Sequence, residues 1–205
     1  MTRRRSSYRS LASLQRDNRG CSACAEAGFR LESVPVFEGH GGQRAFILGQ
    51  APGAVEGVER RPWRGRAGKT LRGWLAMDEA AFYTTFYCAS VTRCYPGRAV
   101  SGSGDRTPTP REQELCAFWR DWELRLVAPR LILAVGGLAI GRLLGERSLG
   151  CVGGRFAYGD AAVVPLPHPS GTNRWLNLAE NRARLEQALG LVREELNHID
   201  VSSVS

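Results

Sequence analysis

Long hydrophobic runs are missing from this 205-residue chain. No apolar stretch approaches the roughly 20 residues that a bilayer-spanning helix needs, so no membrane span is expected. The first twenty residues carry Arg3, Arg4, Arg5, Arg9, Arg16 and Arg19 but no continuous apolar core. That excludes a secretory signal in this segment, and a cytoplasmic location is expected. Without such a signal, the six cysteines are not read as a disulfide framework. No internal repeat is present. Lysine is almost absent too: Lys69 stands alone among 28 basic residues, and arginine supplies the rest of a net charge of +8. Guanidinium suits bidentate phosphate contact, which favours a polyanionic partner. A proteome that simply prefers arginine would give the same count, so charge alone leaves both readings open.

What is present is globular. Hydrophobic residues make up 43% of the chain and charged residues 23%, and the length suits one domain better than two. The expected division is a basic amino-terminal arm over 1–20, a single domain over 21–198 and a tail over 199–205. Four apolar runs read as strands: Ala45 to Leu48, Thr84 to Val91, Leu131 to Val135 and Ala161 to Val164. Helical patterns lie between and after them, beyond Gly68, from Arg111 to Val127, from Leu138 to Leu144 and from Arg174 to Leu196. In the last of these, Trp175, Leu178, Leu185, Leu189 and Leu196 are the expected inner face. Residues 96–110 form a Gly/Ser/Pro loop too polar to pack. Strands alternating with helices predict a three-layer α/β/α fold around a central four-stranded parallel sheet.

Two turns then acquire meaning together. Gly49-Gln50-Ala51-Pro52-Gly53 follows the first strand, and His168-Pro169-Ser170-Gly171 follows the fourth. In a parallel sheet both sit at carboxyl ends, where open α/β folds place their ligands. A Gly/Pro turn exposes backbone N–H groups, and a histidine across from it adds a donor. Such a pair suits a bond cleavage whose leaving group becomes an anion. His40, in a loop, and His198, near the end of the chain, lack such a setting.

The cysteines form a second constellation. Cys21 and Cys24 make a CxxC pair, Cys94 ends the second strand, and Cys116 lies on the helix after the long loop. Four converging thiolates suit zinc or an iron–sulfur cluster, and spacing does not separate the two. Buried small hydrophobes would also account for Cys94 and Cys116. Cys88 and Cys151 read as free thiols.

Between the two turns lie Glu56 and the run Arg61-Pro62-Trp63-Arg64-Gly65-Arg66-Ala67-Gly68. GQAPGAVE, RPWRGRAG, the SVTRC segment and HPSG, in this order, resemble the uracil-DNA glycosylase superfamily, and within it the iron–sulfur-containing family 4. The resemblance runs from Cys21 to the closing helix. It implies a DNA glycosylase of base-excision repair that cleaves the N-glycosidic bond of a flipped-out deaminated base, foremost uracil. It also implies a structural 4Fe-4S cluster on Cys21, Cys24, Cys94 and Cys116. His168 then matches the histidine that faces the base carbonyl, and Trp63 the aromatic that stacks on the extruded base. A base must leave the duplex to be reached, and stacking would return about 1–3 kcal/mol. Gly49, Gln50, Ala51 and Ser90 complete the base pocket. Ser170, Gly171, Thr172, Asn173 and Arg174 form a loop that meets DNA, with Arg174 on phosphate or helping to hold the duplex open. The partner implied is DNA carrying a damaged base, bound by a monomer. Arg93, Arg98 and Arg106 either meet phosphate or keep a loop soluble.

The departures concern the substrate. Gln50 replaces the usual family 4 glutamate, Ala51 offers no carboxylate, and Gly57 replaces an acidic neighbour of Glu56. Glu56, assisted by Gln50, is therefore expected to position the water. Ser90 stands where many uracil enzymes place an asparagine, and one rotatable hydroxyl discriminates less than a fixed amide. A preference for hypoxanthine or xanthine is one alternative. Others are a homologue that binds lesions without hydrolysis, and one that traps the sugar covalently through His168.

Overall fold

The alternation of side chains along each strand sorts the apolar runs into two cores. The computed structural model describes residues 5–100, 104–145, 148–171 and 173–202. In β1 (Ala45–Gly49), Ala45 and Ile47 join one core, while Phe46 and Leu48 join the other. Strands β2 (Phe86–Ser90), β3 (Leu131–Val135) and β5 (Ala161–Leu166) are buried along their whole length, as parallel strands covered on both faces must be. The sheet order is β2-β1-β3-β5-β4. The pairs β1/β2, β1/β3 and β3/β5 are parallel.

The four-stranded parallel sheet expected from sequence is thus present, but a fifth strand extends it. Strand β4 (Phe156–Tyr158) is antiparallel to β5 and exposed at all three positions. A three-residue edge strand with no buried face leaves no alternation to read. The second strand begins later than expected, because Thr84 and Thr85 belong to α5 (Glu79–Thr85), whose start Asp78 caps.

One face of the sheet packs on α4 (Arg66–Trp74), α5 and α8 (Ala179–Ser202) through Leu71, Phe82, Leu185 and Leu189. The other packs on α6 (Pro110–Val127) and α7 (Gly137–Leu144) through Leu124, Val127, Ile140 and Leu143. Helix α6 starts sharply because Thr109 and Glu112 form a capping box with Pro110 in the first turn. The closing segment is not one helix: a 3₁₀ turn, Arg174–Asn177, precedes α8. Leu178 falls between them and is exposed, so it leaves the expected inner face.

Residues 11–19 of the expected arm form α1 (Leu11–Arg19), which buries Leu14 and Asn18 and packs on α6 beside Trp119. The short α2 (Ala23–Glu26) follows, and α8 passes residue 198 to reach Ser202. The loop expected at 96–110 is partly ordered as a hairpin. Ala99 N–H donates to Gly104 O (3.1 Å), Arg106 N–H donates to Gly97 O (2.8 Å), and Arg98 bridges Asp105. Arg106 pins this hairpin by a fork on Glu112 (2.7 and 2.8 Å). No helix among the described residues is long and apolar enough to cross a membrane.

Candidate active site and cysteine cavity

Four strand ends meet at one edge. Gly49 closes β1 opposite Ser90 at the end of β2. Gly136 follows β3 with φ +87°, and His168 lies two residues beyond β5. The chain leaves β1 toward one face of the sheet and β2 and β3 toward the other, the arrangement at which open α/β folds place their ligands. Glycine is required where the walls are close. A Cβ on Gly49 would lie 3.0 Å from Trp63 Cζ2 and 3.4 Å from Ser90 Oγ, and one on Gly136 would lie 3.4 Å from His168 Cβ. The Trp63 and His168 rings stand 6.5 Å apart, inclined at 36°.

Trp63 is held there against its own backbone preference. Its φ of +60° is left-handed, a strained conformation for an aromatic residue that surrounding structure must enforce. Arg72 donates to the Trp63 carbonyl (2.8 Å), and the Tyr83 hydroxyl donates to the Pro62 carbonyl. Arg61 lies 3.7 Å over the Tyr83 ring and grips Glu38 through two bonds (2.6 and 2.8 Å). Gly68 leaves room for the Trp63 carbonyl, which a Cβ there would approach to 1.8 Å. The arginines and glycines of the 61–68 run therefore shape the turn that presents the indole.

Glu56 has both oxygens engaged. Oε2 accepts from Gly53 N–H (3.1 Å) and Oε1 from Gly65 N–H (2.7 Å), so its carboxylate staples the Gly49–Gly53 turn to the 61–68 run. A second carboxylate stands near the same turn, and sequence reading did not single it out. Asp105, on the hairpin, accepts from the Tyr95 hydroxyl through Oδ1 (3.0 Å). Its Oδ2 lies 3.2 Å from where a Gly53 Cβ would be. Burial and the Asp105 hydrogen bond push the Tyr95 hydroxyl up to about 12, so it stays a donor. Desolvation lowers the pKa of half-buried His168, partly opposed by the charges of Asp105 and Glu56. The imidazole is therefore neutral near pH 7. Asp105 carried little local signal, because a lone acidic residue in a Gly/Ser/Pro stretch reads as a solvated loop.

The remaining expected residues are spread around this edge. Gln50 and Ala51 are half-buried, and the Gln50 carbonyl accepts from Thr92 N–H (3.2 Å), tying the turn to the segment after β2. Asn173 braces the histidine turn by donating to the His168 carbonyl (2.9 Å) and accepting from Trp175 N–H (3.1 Å). Ser170 is half-buried, Gly171 and Arg174 are exposed, and Thr172 lies outside the described residues. Of the three arginines near the loop, only Arg98 is exposed. Arg93 is buried against Glu123, and Arg106 is committed to Glu112.

A separate cavity of about 350 Å³ is lined by Cys21, Cys24, Cys94 and Cys116. They come from the segment before α2, from α2, from the segment after β2 and from α6; Cys94 does not end the strand, as expected from sequence, but lies four residues beyond Ser90. Burial, and then Cys116, Cys21 and Cys24 in turn, push the Cys94 thiol well above its ordinary range. The four sulfurs thus share one space. Among the described residues, however, no three His, Cys, Asp or Glu side chains converge as a single metal ion would require. Thiols spread around a cavity fit a polynuclear group better than one tetrahedral ion. Trp119 Nε1–H donates to Cys21 Sγ (3.1 Å) and Arg93 N–H to Cys116 Sγ (3.3 Å). Cys88 is buried in β2 and Cys151 lies in a 3₁₀ turn, neither on this cavity.

Fold and site together define an α/β protein with two turns and the Trp63–His168 pair at the carboxyl edge of a parallel sheet, and with a cysteine-lined cavity. The chain belongs to the Uracil DNA glycosylase superfamily, whose family model matches residues 37–190. Among similar curated proteins is a Type-4 uracil-DNA glycosylase of Thermotoga maritima, 29% identical over 73% of this chain and 76% of its own. Another, of Pyrobaculum aerophilum, is 30% identical over 76% and 81%. A third, of Saccharolobus solfataricus, is 26% identical over 87% and 83%.

Proposed function

We propose that this chain is a hydrolytic DNA glycosylase that removes uracil from DNA, acting as a cytoplasmic monomer and carrying a structural 4Fe-4S cluster. The observation that carries this reading is the meeting of the Trp63 and His168 rings, 6.5 Å apart, with Gly49 and Ser90 at the carboxyl edge of the sheet. A flipped base stacks on the indole, and the Ser90 hydroxyl and Gln50 amide meet its polar edge. As the N-glycosidic bond breaks, charge builds on the base. Neutral His168 and the turn N–H groups ahead of Pro52, Gly53 being committed to Glu56, donate to it without first having to lose or gain a proton. The water that captures the sugar is held by a carboxylate. Glu56, with one backbone N–H on each oxygen, is assigned the fixing of the turn, and Asp105, whose Oδ2 lies toward the same turn, is assigned the orienting of the water. Exposed Arg174 and Gly171, with Ser170, Thr172 and Asn173, form the surface against the DNA backbone.

Cys21, Cys24, Cys94 and Cys116 would hold the cluster, which supplies a cross-link among the amino-terminal segment, the segment after β2 and α6, and takes no part in the cleavage. The test uses oligonucleotides carrying uracil, hypoxanthine, xanthine or a thymine mispair, with the protein purified under reducing conditions. Uracil release that disappears in His168→Ala is expected. Release of purines alone would overturn the substrate, binding without release would overturn the hydrolytic reading, and a DNA adduct surviving denaturing electrophoresis would point to covalent capture.

A further inference from the structure

The buried polar groups around the cysteine cavity are not satisfied by protein. Arg93 and Glu123 form an ion pair with side chains 1% and 0% exposed, and Asn18 Nδ2 donates to the other Glu123 oxygen (3.0 Å). Glu123 thus takes only one arm of the guanidinium. Arg93 Nε and Nη1 have no acceptor, and neither does the buried hydroxyl of Thr92. Both residues line the cavity with the four cysteines. A buried cation with two of its donor groups unmet is costly, and such orphans call for an occupant. The guanidinium also lies within electrostatic reach of Cys116.

We propose that Arg93 and Thr92 form a donor wall that hydrogen-bonds and charge-compensates the anionic, thiolate-ligated group held in the cysteine cavity, with Glu123 and Asn18 fixing the guanidinium. This rests on the cluster reading above and says which residues outside the ligand set retain the group and set its potential. Four thiolates and bridging sulfides leave a net negative group with sulfur acceptors. Donors and positive charge around such a group raise its reduction potential. Nε and Nη1 are the guanidinium atoms left over once Nη2 engages Glu123; their N–H vectors diverge, so one of them meets the group beside the Thr92 hydroxyl and the guanidinium charge reaches it through that bond. One orphan, the Asn18 carbonyl oxygen, is an acceptor and is not explained by an anionic occupant.

The test compares wild type, Thr92→Val and the double variant Arg93→Met/Glu123→Gln. The double variant avoids leaving Glu123 as an unpaired buried charge. Thr92→Val removes one hydroxyl at nearly constant volume and is the variant least prone to unfold. Iron and sulfide content, the rate of iron release to a chelator, and the potential in a dye-mediated titration are measured beside the circular dichroism spectrum. Both variants are expected to release iron about tenfold faster or more, the scale of one lost hydrogen bond to a charged group, and to shift the potential to more negative values. A wild type that binds iron, with both variants matching it in release rate and potential, would overturn the proposal. A wild type without iron or sulfide would overturn the cluster reading, and this proposal with it.

Discussion

Asp105 and Glu56 both border the Gly49–Gly53 turn, and their substitution should separate orienting water from holding structure. Asp105→Ala removes an exposed carboxylate whose one described partner is the Tyr95 hydroxyl. Water can enter the space of the deleted carboxylate and reach the otherwise buried Tyr95 hydroxyl, so stability should change by about 1 kcal/mol or less. If Asp105 orients the water, excision should fall by about 10²–10⁴-fold, the range for a positioned general base. Glu56→Gln removes little from the reacting centre but breaks the staple. One amide oxygen replaces two carboxylate oxygens, and an NH₂ group then faces the Gly53 or Gly65 N–H. Loss of one charge-assisted bond at this half-buried position costs about 1–2 kcal/mol, which for a domain of this size lowers Tm by roughly 2–8 °C. The assay is single-turnover release from a uracil oligonucleotide, paired with a thermal melt of each variant. A rate for Asp105→Ala within threefold of wild type would refute the reasoning. So would a hundredfold loss in Glu56→Gln at unchanged Tm, which would return the water to Glu56.

Other outcomes follow from the same geometry. His168 has its pKa lowered from the ordinary 6.5, so excision should hold as pH falls from 8 to 6.5 and decline only below; Asp105→Asn, which removes a contribution that raises it, should move that acid limb further down in a pH–rate profile. Gly68→Ala drives a Cβ to 1.8 Å from the Trp63 carbonyl and should destabilise the fold by about 2–3 kcal/mol in urea melts, near the upper end for overpacking; an unchanged midpoint would show that the turn gives way freely. Trp63→Phe should keep most excision, while Trp63→Ala should lower it by about tenfold or more through lost stacking. The Glu112 carboxyl is penalised by burial, but the Arg106 fork and the Thr109 bonds outweigh this and hold its pKa below 4.5. Its contribution is complete above pH 4.5 and is lost as pH falls through the lower folded value, so Glu112→Gln should flatten the acid side of a stability–pH curve.

Much of the fold was legible because burial on both faces forces continuous apolar runs, and Leu131 to Val135 could be nothing but an inner strand. The helical pattern from Arg111 to Val127 made α6 equally plain, and the structure adds its cap, Thr109 and Glu112 around Pro110. Legibility failed where a residue's role comes from a distant partner. Strand β4 exists because β5 offers it an edge, and Leu178 is exposed because a 3₁₀ turn precedes α8 and breaks the helical spacing. Arg93 looked like a loop arginine until Glu123, thirty residues on, took it inside.

The candidate site divides in the same way. By itself the sequence determined the two turns at strand ends, the aromatic within RPWRGRAG and the four cysteines, since these depend on local backbone chemistry and on side-chain type. Only the tertiary structure decided which carboxylate staples the turn and which one merely faces it. Glu56 and Asp105 are alike as isolated acids, and what distinguishes them is which backbone N–H groups lie within 3.1 Å of their oxygens. That, like the unmet donors of Arg93, follows from packing between segments far apart in the chain.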